Sequence, residues 1–318
     1  MMFEKHISTF KEYLETHNYS ERTVDTYSSN TKRFLVFIKK YYFRVNSVEK
    51  ITKDILLDYQ NYIAHHKTKK GGTLSNSTQC SILKSIKKFF QFLIKSDFIL
   101  KDPSTAIVFP KEEQRLTRNV LTEKEMETLL NSINLDNPLG LRNRAIIELF
   151  YSCGIRTSEL CNLKVNDVNL KEQTVTVVKG KGNKSRIAPI GQYASLYIQQ
   201  YLEKARKYML RTRRDDPGFL FLSRRGNQFN RTTINKTVIQ SIRTKLKFNK
   251  HVSCYVFRHT VATHLLANKV DITYIAKLLG HASLKTTQRY LRIEISDLKK
   301  MHSLYHPREM NHTEIKVK

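Results

Sequence analysis

The stretch SCYVFRHTVATHLL runs from Ser253 to Leu266. Val261, Leu265 and Leu266 fall at helical spacing, so it reads as a helix that carries Arg258, His259 and His264. Only helical patterns surround it, from Thr232 to Leu304. Upstream, EQTVTVVKGKGNKSRIAPI reads as a β-hairpin. Val175 and Val177 alternate with Thr174 and Thr176, and the turn is rich in Gly and Asn. The fold class expected is therefore mainly α, with a small antiparallel hairpin or sheet.

The rest of the chain supports that class. The first hundred residues read as helices. Phe3, Ile7, Phe10 and Leu14 keep one period, and Val24, Tyr27, Phe34, Leu35 and Ile38 continue it after a cap at Ser20. Thr52 opens a segment with Ile55, Leu56, Tyr59 and Ile63. KKGGTLSNS is a loop. In SILKSIKKFFQFLIK, Ile82, Ile86, Phe89, Phe90 and Leu93 share one side, and Lys84, Lys87 and Lys88 largely occupy the other. That second side fits a solvated face or one turned to phosphates. Residues 102–120 carry two prolines and little periodicity, as a linker does, with the boundary expected near Arg118. LTEKEMETLL then starts a helix, with Thr122 and Glu125 at capping-box spacing. NPLGLRNRAIIELFYSCG is a helix ending at Gly154, TSELCNL a short helix, ASLYIQQYLEKARKYML another helix, and FLFLS a short strand.

Composition narrows the function. Of 318 residues, 56 are Lys or Arg and 28 are Asp or Glu, a formal charge of +28. Such an excess strains the compact state unless a polyanion relieves it, and nucleic acid is the first candidate. The charge is spread along the chain, which favours a folded surface that grips a large anion. At 40% hydrophobic residues, disorder is not the default. No apolar run of eighteen residues occurs, and MMFEKHISTFKEYLE lacks the apolar stretch of a signal peptide. Cys80, Cys153, Cys161 and Cys254 are scattered and read as reduced thiols of a cytoplasmic protein. The spacing of Cys254, His259 and His264 fits no usual zinc pattern, so no metal is expected.

Four stretches stand out together. They are Cys153-Gly154-Ile155-Arg156-Thr157-Ser158-Glu159-Leu160, Lys179-Gly180-Lys181-Gly182-Asn183-Lys184, Tyr255-Val256-Phe257-Arg258-His259-Thr260, and Leu278-Leu279-Gly280-His281 followed by Thr286-Thr287-Gln288-Arg289-Tyr290. In this order, behind a basic helical region, they resemble the tyrosine recombinases, most closely the Xer and phage-integrase type. The C-terminal His306-Pro307-Arg308 also looks like that of Xer proteins. The resemblance implies a helical, SAM-like core-binding domain (1–105), a linker (106–120), a catalytic domain (121–308) and a basic, disordered tail (309–318).

The chemistry of these residue types agrees. A nucleophile that keeps the phosphate lets a strand be broken and rejoined without loss of bond energy, and a tyrosine hydroxyl can do this. Charge building on the non-bridging oxygens wants fixed cations, and arginine offers forked, permanently charged donors. The leaving 5′-oxygen needs a proton, which a lysine can supply. By resemblance, Tyr290 is the nucleophile, Arg156 and Arg258 clamp the scissile phosphate, Lys181 is the general acid and His281 a donor. Glu159 supports Arg156 from behind. Lys179 and Lys184 remain alternatives to Lys181. His259 and His264 are expected as packing or supporting residues. Lys84, Lys87, Lys88, Lys184 and Arg186 are expected to contact DNA. No cofactor is implied.

One position departs from the pattern. Where the family has histidine, three residues before the second arginine, this chain has Tyr255. A tyrosine hydroxyl can donate a hydrogen bond but, with a reference pKa of about 10, cannot serve as a near-neutral base. Tyr255 is thus expected at the site as a donor in an active enzyme of altered pH dependence. A smaller departure is Asn143, where many relatives are acidic.

The function expected is site-specific DNA recombination through a 3′-phosphotyrosyl intermediate, for a mobile element or for Xer-type resolution. The departure at Tyr255 and the high charge favour the mobile element. The alternatives are an impaired family member that binds DNA as an accessory protein, and a type IB topoisomerase of the same chemistry. Partners implied are duplex DNA with inverted half-sites, further copies of the chain in a tetramer joined through the segment after Tyr290, and a second recombinase or DNA-bending protein. The setting implied is the cytoplasm, at the nucleoid.

Overall fold

The computed structural model describes residues 2–68, 71–111, 120–178, 185–211, 213–239, 250 and 252–280. They belong to two units, Met1–Arg115 and Leu116–Lys318. No described helix is long and apolar enough to cross a membrane.

In the first unit, polar residues set where helices begin. Ser20 precedes α2 (Glu21–Tyr41), Thr52 precedes α3 (Lys53–His65) and Ser75 precedes α4 (Asn76–Lys95). Each hydroxyl accepts a bond from a backbone N–H three residues on, a contribution of about 1 kcal/mol per cap. With α1 (Met2–Thr16) these helices bury an aromatic core. Phe10 meets the Phe89 ring edge-on at 5.3 Å, and Phe34 packs on Tyr59 at 4.8 Å. The start of the expected linker is held to this unit. Ile107 is buried, Gln60 bonds Val108 on both sides of its amide, and Asn76 donates to the Lys111 carbonyl.

The second unit opens with α5 (Glu123–Asn131), where both halves of the Thr122–Glu125 capping box form. Helix α6 (Pro138–Cys153) starts at the Asn137 cap and stops at Gly154, whose φ of +57° needs a residue without a Cβ. Helix α7 (Thr157–Asn162) follows at once. Strands β1 (Val168–Asn169), β2 (Thr174–Val177) and β3 (Arg186–Pro189) form an antiparallel sheet in sequence order, with Val177 opposite Arg186. Val175, Val177 and Ala188 face the core. The next helical run is less uniform than its sequence suggests. Helix α8 (Gln192–Gln200) passes through a π-helical segment, Tyr201–Ala205, into α9 (Arg206–Leu210).

FLFLS does not form a strand. It makes two single bridges, Lys164 with Phe219 and Leu222 with Gln228. Positive-φ glycines at Gly218 and Gly226 turn the chain on both sides, and Leu222 N–H donates to the Tyr201 hydroxyl instead of to a ladder. Beyond it come α10 (Arg231–Ile234), a π-helical segment at Asn235–Ile239, α11 (Cys254–Ala267) and α12 (Ile272–Leu279). The helices expected between residues 281 and 304, and the tail, lie outside the described residues.

Candidate active site

Two tight turns build the site. Gly154 ends α6 and hands the chain to α7 with Arg156 at its start. Gly280 ends α12 in the same left-handed conformation, φ +64°. The turns touch, for a Cβ on Gly154 would lie 2.4 Å from Leu279 Cδ2.

Arg258 binds them together. It lies on α11, is 4% exposed, and donates to the Gly154 carbonyl at 2.5 Å and the Leu279 carbonyl at 2.6 Å. Arg156 donates from Nη2 to the next carbonyl, Gly280, at 2.8 Å. Two guanidinium groups distant in sequence thus satisfy the last carbonyls of α12, groups that a helix end leaves without partners. His281 is the next residue in the chain.

Glu159 holds the cations in place. Its carboxylate accepts from the Arg156 backbone N–H at 2.9 Å and from Arg156 Nη1 at 2.7 Å. It also takes both Nη groups of Arg186 at 2.9 Å each. Burial alone would raise its pKa. The bonds from Arg186 and Arg156 outweigh burial and hold it at about 2. Arg156 and Arg186 share this single carboxylate, and Arg258 binds the carbonyls of the two turns beside it, so the centre keeps an excess of positive charge suited to an oxyanion.

The sequence-predicted residues are placed as follows. Arg156, Glu159 and Arg258 come together as described. Arg186, expected at DNA, instead has its guanidinium on Glu159, with its side chain 14% exposed. Tyr255 is 55% exposed on α11, with its ring edge-on to His259 at 4.2 Å. His264 is structural. One ring nitrogen meets the Tyr151 hydroxyl at 2.9 Å and the other the Leu121 carbonyl at 2.8 Å. Lys84 is exposed on α4. Lys87 lies 5.8 Å from the Phe109 ring, and Lys88 lies 5.3 Å from that of Tyr19, whose hydroxyl bond raises its pKa. Lys181, Lys184, His281 and Tyr290 lie outside the described residues. Sequence reasoning missed the part of Arg186. Its signal was there, an arginine in the first β3 position next to a hairpin of candidate catalytic lysines.

The model of the phage integrase family matches residues 119–296, and that of the phage integrase N-terminal SAM-like domain matches residues 7–99. Tyrosine recombinase XerC of Halalkalibacterium halodurans is 34% identical over 305 residues, 95% of this chain and 97% of the relative. Tyrosine recombinase XerD of Pasteurella multocida is 33% identical over 91% of this chain and 93% of its own. The fold is similar to that of the XerH site-specific recombinase in a pre-cleavage complex with its difH substrate, at 21% identity and a TM-score of 0.67, over 89% of this chain and 79% of that one. The chain belongs to the phage integrase family and is a tyrosine recombinase, an enzyme of site-specific DNA recombination.

Proposed function

We propose that this recombinase cuts duplex DNA with Tyr290 and holds the scissile phosphate between Arg156 and Arg258. The observation that carries the reading is their convergence on consecutive carbonyls, Leu279 and Gly280, directly before His281. Arg258 is locked in the core, and Arg156 is the more exposed of the two. The Tyr290 hydroxyl attacks phosphorus, the bond to the 5′-oxygen breaks, and a 3′-phosphotyrosyl ester forms. Lys181 gives its proton to the leaving oxygen, and the return step reverses each transfer. Tyr255 donates to a phosphate oxygen in place of the family's histidine.

The substrate is duplex DNA with inverted half-sites, and two sites meet in a tetramer joined through the residues after Tyr290. Excision and integration of a mobile element, or resolution of chromosome dimers at the nucleoid, both use this chemistry. A second recombinase or a DNA-bending protein completes the assembly.

The test is a covalent-trapping assay on nicked duplexes made from DNA flanking the gene. Wild type is expected to give an adduct that survives detergent, Tyr290→Phe to bind without forming one, and Tyr255→His to form one with a changed pH profile. An adduct seen only with Tyr255→His would sink the reading and leave a chain that binds DNA without cutting it.

A further inference from the structure

Arg186 is the first residue of β3, and its partner across the ladder is Val177 at the end of β2. Residues 178–185 join the two strands and include Lys179, Lys181 and Lys184. Arg186 therefore stands where the lysine-bearing connection returns to the sheet.

Two contacts lock it there. Its fork grips both oxygens of Glu159, a geometry that fixes the orientation of both groups. The same carboxylate holds Arg156. The Arg186 stem lies against Gly280, where an added Cβ would sit 2.8 Å from Cδ and 2.9 Å from Nε. Gly280 is thus held from two sides, its carbonyl by Arg156 and its α-carbon by the Arg186 stem. The segments that lead to Lys181, Arg156 and His281 meet at this one side chain. A surface arginine facing DNA would need none of these contacts, and its guanidinium would be solvated.

We propose that Arg186 is a positioning residue of strand cleavage, which sets the hairpin's proton donor in register with the arginine clamp. The proposal rests on the mechanism above. It separates two effects that a merely structural arginine would not separate, namely the supply of a proton to the leaving oxygen and the binding of the phosphate. Proton supply is isolated by replacing the 5′-bridging oxygen with sulfur, because a thiolate departs without being protonated.

The experiment measures cleavage of ordinary and 5′-bridging phosphorothiolate nicked duplexes by wild type, Arg186→Gln, Arg186→Lys and Lys181→Ala, with duplex binding measured alongside. On the ordinary substrate, Arg186→Gln is expected to lose on the order of 10²-fold, the scale of a small misplacement of a catalytic group. Arg186→Lys, which keeps the charge but not the fork, is expected to fall between. Binding is expected to be unchanged, and the sulfur substrate to restore Arg186→Gln to nearly the wild-type rate. Restoration of Arg186→Gln but not of Lys181→Ala would support the proposal and reassign the acid to Lys179 or Lys184. Restoration of Lys181→Ala but not of Arg186→Gln would overturn the proposal and leave the lysine mechanism standing. Parallel loss of binding and cleavage in both Arg186 variants would overturn it as well, since that is what a structural role gives.

Discussion

Asn143 stands beside a charge that it does not neutralise. Arg142 is 3% exposed, and its guanidinium donates to Asn143 Oδ1 and to the Leu222 carbonyl, with the Phe229 ring 5.0 Å away. Among the described residues it has no carboxylate partner. Burial pushes its pKa down to about 10. A buried charge is costly unless it is paired. An aspartate at position 143 would supply the pair with little change of shape. Asn143→Asp is therefore expected to stabilise the second unit by about 1.5–3 kcal/mol, the worth of a hydrogen bond to a charged group. Urea unfolding at pH 7 measures it, and an unchanged or lower midpoint would refute the argument. The departure at Asn143 is thus an account of stability, and it touches none of the groups at the clamp.

At the scale of elements, the site is the meeting of α7, β3, α11 and the end of α12, and Glu159 is the acid on which two of their arginines converge. Its folded pKa of about 2 lies below the reference value of 4.5. A depressed carboxylate contributes stability in full above the unfolded value and loses it as pH falls through the folded one. The window is therefore from pH 4.5 down to about 2, and the drop corresponds to about 3 kcal/mol. Glu159→Gln is expected to flatten the acid limb of the stability curve in that window. It also leaves Arg156 and Arg186 without their anion, so at neutral pH it should cost about 3–5 kcal/mol, the range for a broken buried pair. Denaturation midpoints of both proteins at a series of acidic pH values check the sign and the window.

For the whole molecule the governing quantity is +28 of formal charge on 318 residues. Binding that neutralises several phosphates releases counterions, so affinity must fall steeply with salt. Duplex affinity is expected to drop on the order of 10³-fold or more between roughly 50 and 200 mM salt, as it does for six or more phosphate contacts. Fluorescence anisotropy on a labelled duplex measures the slope, and a flat one would mean that the charge serves something other than DNA.

The division between sequence and tertiary structure follows from range. Helix starts at Ser20, Thr52 and Thr122 were legible because a cap bonds three residues away, whereas Ser75 reads as part of the loop KKGGTLSNS and caps α4 from within it. The β2–β3 hairpin was legible because alternation and a turn are local. The four stretches named the family because residue types in a fixed order survive in a single chain. The strand expected at FLFLS was not legible, since pairing depends on what lies opposite, and there each side offers one residue. Arg186 looked like any basic residue of a basic chain, and its distinction from Lys84 is that Glu159, 27 positions earlier, is folded against it. The sequence by itself determined the class, the chemistry and the candidate residues. Only the tertiary structure decided which cations share a carboxylate and which grip the end of α12, because ion pairs and orphaned carbonyls are satisfied across space and leave no periodic trace along the chain.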